Sequence, residues 1–415
     1  MASKQTNTLK FFYALGAGAA AATAVYLYQR KKGAKHNQNL EGSTEELLDY
    51  FGLLSHESKD DEHQRLLAEI RKDSSKIPSF NPDCYRNLSC EFGMIRLPAA
   101  LAFACFTFLD FRTVLVAQRV ARKWRSFCGV FKYDRNFILQ CAVRGFDSER
   151  TEYRGRCWRL ICRSDEIAAA STRTYQSLWS VPPTQAQDIN KDVSRTLLHV
   201  PFFPTEQEAE KALRHTLFAY ANHDKTVGYC QGQNFIAGFL LSHLPEEQAY
   251  WAFWSVMAAP LYKMRELFLP GLTGLMVFRH QFQWLFEAYI PDLHAHFKRH
   301  DIYPDIFTDW FMTCFTGRPF PRLLTCRIWD FLYADGMPAI HRCALAILYL
   351  CKDDLMTLDF ESIIHYIKQL PHKGRLNPDL VMRTALSFDV RDSLLDTLQR
   401  HYERHQKNSG LSLDR

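Results

Sequence analysis

Thr205-Glu-Gln-Glu-Ala-Glu-Lys-Ala-Leu-Arg-His-Thr-Leu-Phe-Ala-Tyr220 reads as a helix with its start written into it. Thr205 and Glu208 form a capping box, in which hydroxyl and carboxylate can each satisfy an orphan amide of the first turn. Behind it Ala209, Leu213, Leu217 and Tyr220 fall on one face, which predicts a helix over about 205–221. The same texture extends outward. Gly232–Leu244, Ala249–Met257, Phe278–Tyr289 and Ala339–Cys351 read as further helices. Breaks are expected at Pro245, Pro260, Gly271, Pro291, Pro304, Pro319 and Pro321. Strand-like alternation is scarce and no solenoid period is present, so the fold class is all-α and non-repetitive. The helical domain is placed over residues 134–400, followed by a polar tail over 401–415.

The 415 residues leave room for appendages beside such a domain, and an apolar fraction of 47% supplies a core. With 51 cations facing 45 anions, and no basic stripe interleaved with aromatics, the chain carries no nucleic-acid footprint. Its 12 cysteines are scattered without a CxxC pair, so they read as buried free thiols rather than zinc ligands or a disulfide framework.

Phe11 to Tyr28 is an uncharged, largely apolar segment that as a helix would span about 27 Å. Lys10 precedes it, Arg30, Lys31, Lys32 and Lys35 follow, and aromatics stand at both ends. This pattern suits a membrane anchor with the body of the chain on the cytoplasmic face. A cleaved secretory signal and a helix buried in the protein are the alternatives. The mitochondrial outer membrane and the endomembranes are both candidate destinations. Residues 29–95 read as a polar linker with one or two short helices, around apolar pieces such as Leu47–Leu54 and Leu66–Ile70. Residues 96–133 read as a helical region of unassigned role, since the apolar run Leu97–Leu109 is too short for a comfortable span.

Two short segments flank the capped helix: Asp188-Ile-Asn-Lys-Asp-Val-Ser-Arg195-Thr196 and Gly228-Tyr-Cys-Gln231-Gly-Gln-Asn234. The ten-residue connection from Arg195 to Thr205 reaches about 33 Å when extended, and the helix is about 25 Å long. The chain can therefore return along its own helix and bring Arg195 near Gln231. By residue type alone each segment is modest. An Arg beside an Asp is ordinarily a surface salt bridge, and a glycine-flanked Tyr-Cys-Gln is ordinarily a tight helix start. Cys230 has no convincing general-base partner, with His223 the nearest histidine in sequence.

Taken together, five blocks resemble the TBC-domain Rab GTPase-activating proteins. Ile189-x-x-Asp192-x-x-Arg195 is similar to that family's IxxDxxR motif, and Tyr229-x-Gln231-Gly232 to its YxQG motif. Arg327-Ile-Trp329-Asp330 resembles its RIWD segment; Arg154 to Trp158 and Asp309-Trp310-Phe311 match as well, all in the family's order. The texture is also similar to the growth-hormone-regulated branch of the family. The resemblance implies an all-helical domain that lends two side chains to a Rab-family small GTPase in its GTP form. Arg195 would be an arginine finger and Gln231 a glutamine finger. Asp192 would hold the Arg195 loop, Tyr229 and Gly232 would fix Gln231, and Ile189 would be core. Arg327, Trp329 and Asp330 are expected to be structural, a buried Arg–Asp pair beside a packed Trp, and Arg154, Trp158 and Trp310 structural as well. No cofactor is expected of the chain itself, because Mg²⁺ and GTP would arrive with the partner. The rival readings are a non-catalytic Rab-binding scaffold with the same fold and a secreted or lumenal helical protein.

Overall fold

The computed structural model describes residues 64–68, 89–92 and 95–98, short pieces between 138 and 146, and residues 151–408 apart from 197–201, 318–319 and 371–375. The expected anchor (11–28), most of the linker and nearly all of 96–133 lie outside these residues. Numbering the helices of eight residues or more, α1 is Thr151–Ile161, α2 Ala186–Val193, α3 Glu206–His223, α4 Gln233–Leu241, α5 Glu246–Ala258 and α6 Thr273–Tyr289. They are followed by α7 Pro291–Arg299, α8 Arg322–Asp335, α9 Met337–Leu350, α10 Phe360–Gln369, α11 Pro378–Leu386 and α12 Asp392–Asn408. Among the described residues none of these helices is long and apolar enough to cross a membrane.

The capped helix forms as its sequence dictates. The Thr205 hydroxyl accepts from the Glu208 amide at 3.2 Å, and α3 then packs against α2, α4, α5 and the short helix Tyr175–Trp179. Several expected breaks turn out to be starts. Pro245 and Pro321 precede the first residues of α5 and α8, and Pro291 is itself the first residue of α7, where the missing N–H removes no intrahelical bond. The centre of the fold is the pair α8 and α9, joined at Gly336. Both are buried on nearly every face, so their sequences show little amphipathic contrast.

The N-terminal entry to the domain is fixed by one buried carboxylate. Asp330 on α8 is fully buried and accepts from Arg154 Nε at 3.0 and 3.1 Å, from Trp158 Nε1 at 2.8 Å and from the Phe146 amide at 3.3 Å. The expected pairing within the Arg327–Asp330 segment is therefore corrected. Asp330 pairs with Arg154 on α1, whereas Arg327 reaches Asp379 on α11 at 2.7 Å. Around this junction the Trp158 ring stacks on Tyr333 at 5.3 Å and touches His243, Phe239 and Trp329. Trp329 Nε1 donates to the Cys314 carbonyl at 3.0 Å, and Trp310 packs among Phe307, Phe315 and Phe320.

Gly155, between Arg154 and Trp158, lets α1 approach this closely. A Cβ there would lie 2.3 Å from the His243 carbonyl oxygen, a backbone atom that cannot step aside. Gly155→Ala is expected to push α1 off its seat and destabilise the domain by about 1–3 kcal/mol or more. Denaturant unfolding of the purified chain checks this, and a midpoint equal to that of the unchanged protein would refute it.

Three further boundaries differ from the sequence reading. Ser89–Phe92 and Ile95–Pro98 form an antiparallel hairpin with Phe92 opposite Ile95 and Glu91 opposite Arg96, so the chain is not purely helical and the 95/96 boundary cuts through a strand. Residues 64–68 are helical and bury Leu66 and Leu67 in the main core, so this part of the linker docks instead of floating in solvent. Finally, α12 runs on to Asn408 with His401, Tyr402 and Gln406 buried, so the polar tail does not begin at 401.

Candidate functional site

The two flanking segments meet at the end of α2. Ile189 is fully buried and seats the helix in the core. One turn later Asp192 is only 4% exposed, and just beyond the helix Arg195 is 61% exposed on its side chain. The turn that presents Arg195 is held by its own amide, which donates to the Asp192 carbonyl at 3.3 Å, and by the Thr196 amide, which donates to Val193 at 3.1 Å. Arg195 Nη2 also donates to Asp192 Oδ1.

The second segment leaves α3 through a loop organised by Asp224. Its carboxylate accepts from the amides of Thr226 and Val227 at 3.1 and 3.2 Å and from Arg265 at 2.6 and 3.1 Å. Burial works against its charge, yet the guanidinium and the two amides outweigh that and hold the carboxyl below its usual range. The loop delivers Tyr229, whose hydroxyl donates to Asp192 Oδ2 at 2.5 Å. Burial, and then that bond to a carboxylate, push the phenol far above its ordinary value, so it remains a donor. One carboxylate thus takes Arg195 on one oxygen and Tyr229 on the other.

A second tie runs through residues to which the sequence reading assigned no role. Gly232 precedes α4 with φ 112°, a backbone setting that L side chains rarely adopt. Its amide donates to Asn234 Oδ1 at 3.0 Å, Asn234 Nδ2 donates to Thr196 Oγ1 at 2.9 Å, and Thr196 Oγ1 donates to the Asp192 carbonyl at 2.7 Å. Asn234 and Thr196 are buried at 1% and 8% exposure. Both stand inside the two quoted segments. Their short polar side chains beside a strained turn were the available signal, but the partner of each lies in the other segment.

Gln231 is exposed between Tyr229 and Gly232, and its side chain makes no hydrogen bond among the described residues. Cys230 next to it has its thiol pushed up to about 11, by burial and then by the Asp192 charge, which disfavours the thiolate a nucleophile needs. Arg154, Trp158, Trp310, Arg327, Trp329 and Asp330 do not hydrogen-bond to this network. They belong to the core, where Trp158 and Trp329 pack on Phe239 of α4 and so brace the helix that follows Gly232. Among the described residues no group of three His, Cys, Asp or Glu side chains is placed to hold a metal ion.

The helical architecture that carries this site is shared with known proteins. Residues 151–356 match the model of the Rab-GTPase-TBC domain. The human Ecotropic viral integration site 5 protein homolog is 29% identical over 287 residues, covering 68% of this chain and 34% of that protein. The Caenorhabditis elegans Rab GTPase-activating protein tbc-11 is 32% identical over 259 residues, 60% of this chain and 27% of that one. The solved TBC domain of a Chlamydomonas flagellar RabGAP superposes with a TM-score of 0.52 at 22% identity, covering 66% of this chain and 92% of that structure, which shows the fold. Residues 151–356 belong to the Rab-GTPase-TBC domain family, and the helical body of the chain has the TBC fold. The chain spans between about a quarter and a third of the length of these curated relatives.

Proposed function

We propose that this chain accelerates GTP hydrolysis by a Rab-family small GTPase in its GTP form, with Arg195 and Gln231 supplied in trans. The observation that carries the reading is the shared carboxylate of Asp192, which ties the Arg195 turn to Tyr229 while Arg195 and Gln231 stay exposed. Mg²⁺ and GTP belong to the partner. In the reaction water attacks the γ-phosphorus, the bond to the β–γ bridging oxygen breaks, and negative charge moves onto that oxygen. The Arg195 guanidinium is always charged and forked, so it can bond the γ-phosphoryl and bridging oxygens together. Gln231 can accept from the attacking water through its carbonyl and donate to the γ-phosphate through its amide.

The free site is compatible with this use. Arg195 must leave Asp192, but a pair with a 61% exposed partner is worth at most about 1 kcal/mol. The return, if Arg195 acts as an arginine finger, is about 4–7 kcal/mol of barrier. Asp192 keeps the Tyr229 hydroxyl when Arg195 swings away, so the buried carboxylate is not left without a donor.

The anchor reading of residues 11–28 completes the proposal. A tether with the domain on the cytoplasmic face would confine the site to the surface where a lipidated GTPase sits, raising its effective concentration. Deleting 1–28 should then move the chain from the membrane to the soluble fraction and leave its activity in solution unchanged.

Single-turnover GTP hydrolysis across a panel of purified Rab GTPases tests the function, using the full chain and its Arg195→Ala form. Acceleration of one or a few members by orders of magnitude, lost in the variant, is the expected result. Tight binding to a GTP-loaded Rab without acceleration would replace the reading with a non-catalytic scaffold.

A further inference from the structure

We propose that Asn234 is a positioning residue that locks the two fingers into one unit, an inference that rests on the function proposed above. Its amide joins the residue that follows Arg195 to the residue that follows Gln231. One end of the side chain accepts from Gly232 N–H at 3.0 Å, and the other donates to Thr196 Oγ1 at 2.9 Å. Thr196 passes the connection on by donating to the Asp192 carbonyl at 2.7 Å, at the C-terminal end of α2.

The geometry gives this tie leverage over both fingers. The Gly232 N–H shares a rigid peptide plane with the Gln231 carbonyl and Cα, so pinning that N–H sets the direction from which the Gln231 side chain departs. The glycine's φ of 112° leaves the plane little intrinsic preference of its own, which makes an outside restraint necessary. At the far end, holding Thr196 closes the turn that presents Arg195. Only a short side chain with an acceptor and a donor on one planar group fits between these partners. Aspartate would accept from Gly232 but could not donate to Thr196, and leucine could do neither. Asn234 is 1% exposed, so solvent cannot substitute for it. A placement error of about 1 Å at a reacting group can cost on the order of 100-fold in rate. The expected signature is therefore a fall in the maximal rate with the affinity for the GTPase preserved.

Single-turnover hydrolysis by the most responsive Rab is measured against increasing concentrations of the full chain. Asn234→Ala and Thr196→Val are expected to lower the saturating rate by about 10–100-fold with little change in half-saturating concentration. Asn234→Asp should fall between wild type and alanine, and Thr196→Ser, which keeps both hydrogen bonds, should restore the rate. In a Gln231→Ala background the Asn234→Ala loss should shrink several-fold, because its effect runs partly through that residue. Thermal unfolding identifies any variant that fails to fold; if Asn234→Ala does, the near-isosteric Thr196→Val pair of measurements decides. Folded Asn234→Ala and Thr196→Val proteins with saturating rates within twofold of wild type, a defect confined to half-saturation, or an Asn234→Ala loss undiminished in the Gln231→Ala background would each overturn the proposal. A wild-type chain that stimulates no Rab while remaining folded overturns the function itself, and with it this inference, and the wild-type control separates that case from the others.

Discussion

With Arg195 changed to alanine, single-turnover hydrolysis by the responsive GTPase is expected to fall by about 10³–10⁵-fold, the range that an arginine finger commands. The lysine variant is expected to recover less than about a tenth of the lost rate. Lysine carries the charge, but as a compact point at the end of a flexible stem. It lacks the planar fork that can bond the γ-phosphoryl and bridging oxygens at once. Folding should be nearly indifferent to either change. The Arg195 side chain is 61% exposed, and Asp192 retains the hydroxyl of Tyr229, so the loss of the ion pair should cost less than about 1 kcal/mol. The contrast between a large kinetic effect and a small thermal one is the diagnostic feature. An Arg195→Ala protein that stays folded and keeps activity within tenfold of the unchanged chain would remove Arg195 from the mechanism.

What could be read in the sequence follows from how local each signal is. The Thr205 cap and the apolar stripe behind it are contained within one helix, and α3 begins and packs where they say it should. The two segments around it were legible as blocks because each is contiguous. Their closure onto one another was only permitted by chain length. The identity of the connecting atoms, Tyr229 to Asp192 and Asn234 to Thr196, spans 37 and 38 residues and could not be read from either block alone. The same limit explains the misassigned partner of Asp330. Arg327 lies three positions away on the same helix and is the natural local candidate, whereas Arg154 is 176 residues distant. The hairpin at 89–98 is illegible in the sequence for another reason. Its strands have four residues each, and so short an apolar–polar alternation is hard to distinguish from a polar linker.

Asp330→Ala should be the most damaging single change to the fold, at about 3–5 kcal/mol. The carboxylate accepts from Arg154 Nε, Trp158 Nε1 and the Phe146 amide. Alanine would strand a guanidinium that is 3% exposed, take the acceptor from the Trp158 indole N–H, and open space against the Trp158 ring. For a domain of this size the loss corresponds to roughly 6–20 °C in Tm. A variant replacing both partners with apolar side chains, Arg154→Met with Asp330→Leu, should be less harmed than Asp330→Ala alone, since no buried charge is then left unpaired. The pH dependence has a definite sign. Burial pushes the Asp330 carboxyl up to about 6 from the ordinary 3.8, although Arg154, Trp158 and the Phe146 amide oppose the rise. Between those values the folded chain holds a proton that the unfolded chain releases, so this group's contribution grows as pH falls from about 6 towards 3.8. The stability gap between wild type and Asp330→Ala should therefore widen across that interval, measured by denaturant unfolding at pH 7, 6, 5 and 4. A gap under about 1 kcal/mol at pH 7 would mean that the junction of α1 and α8 is held by its aromatic packing and not by this carboxylate.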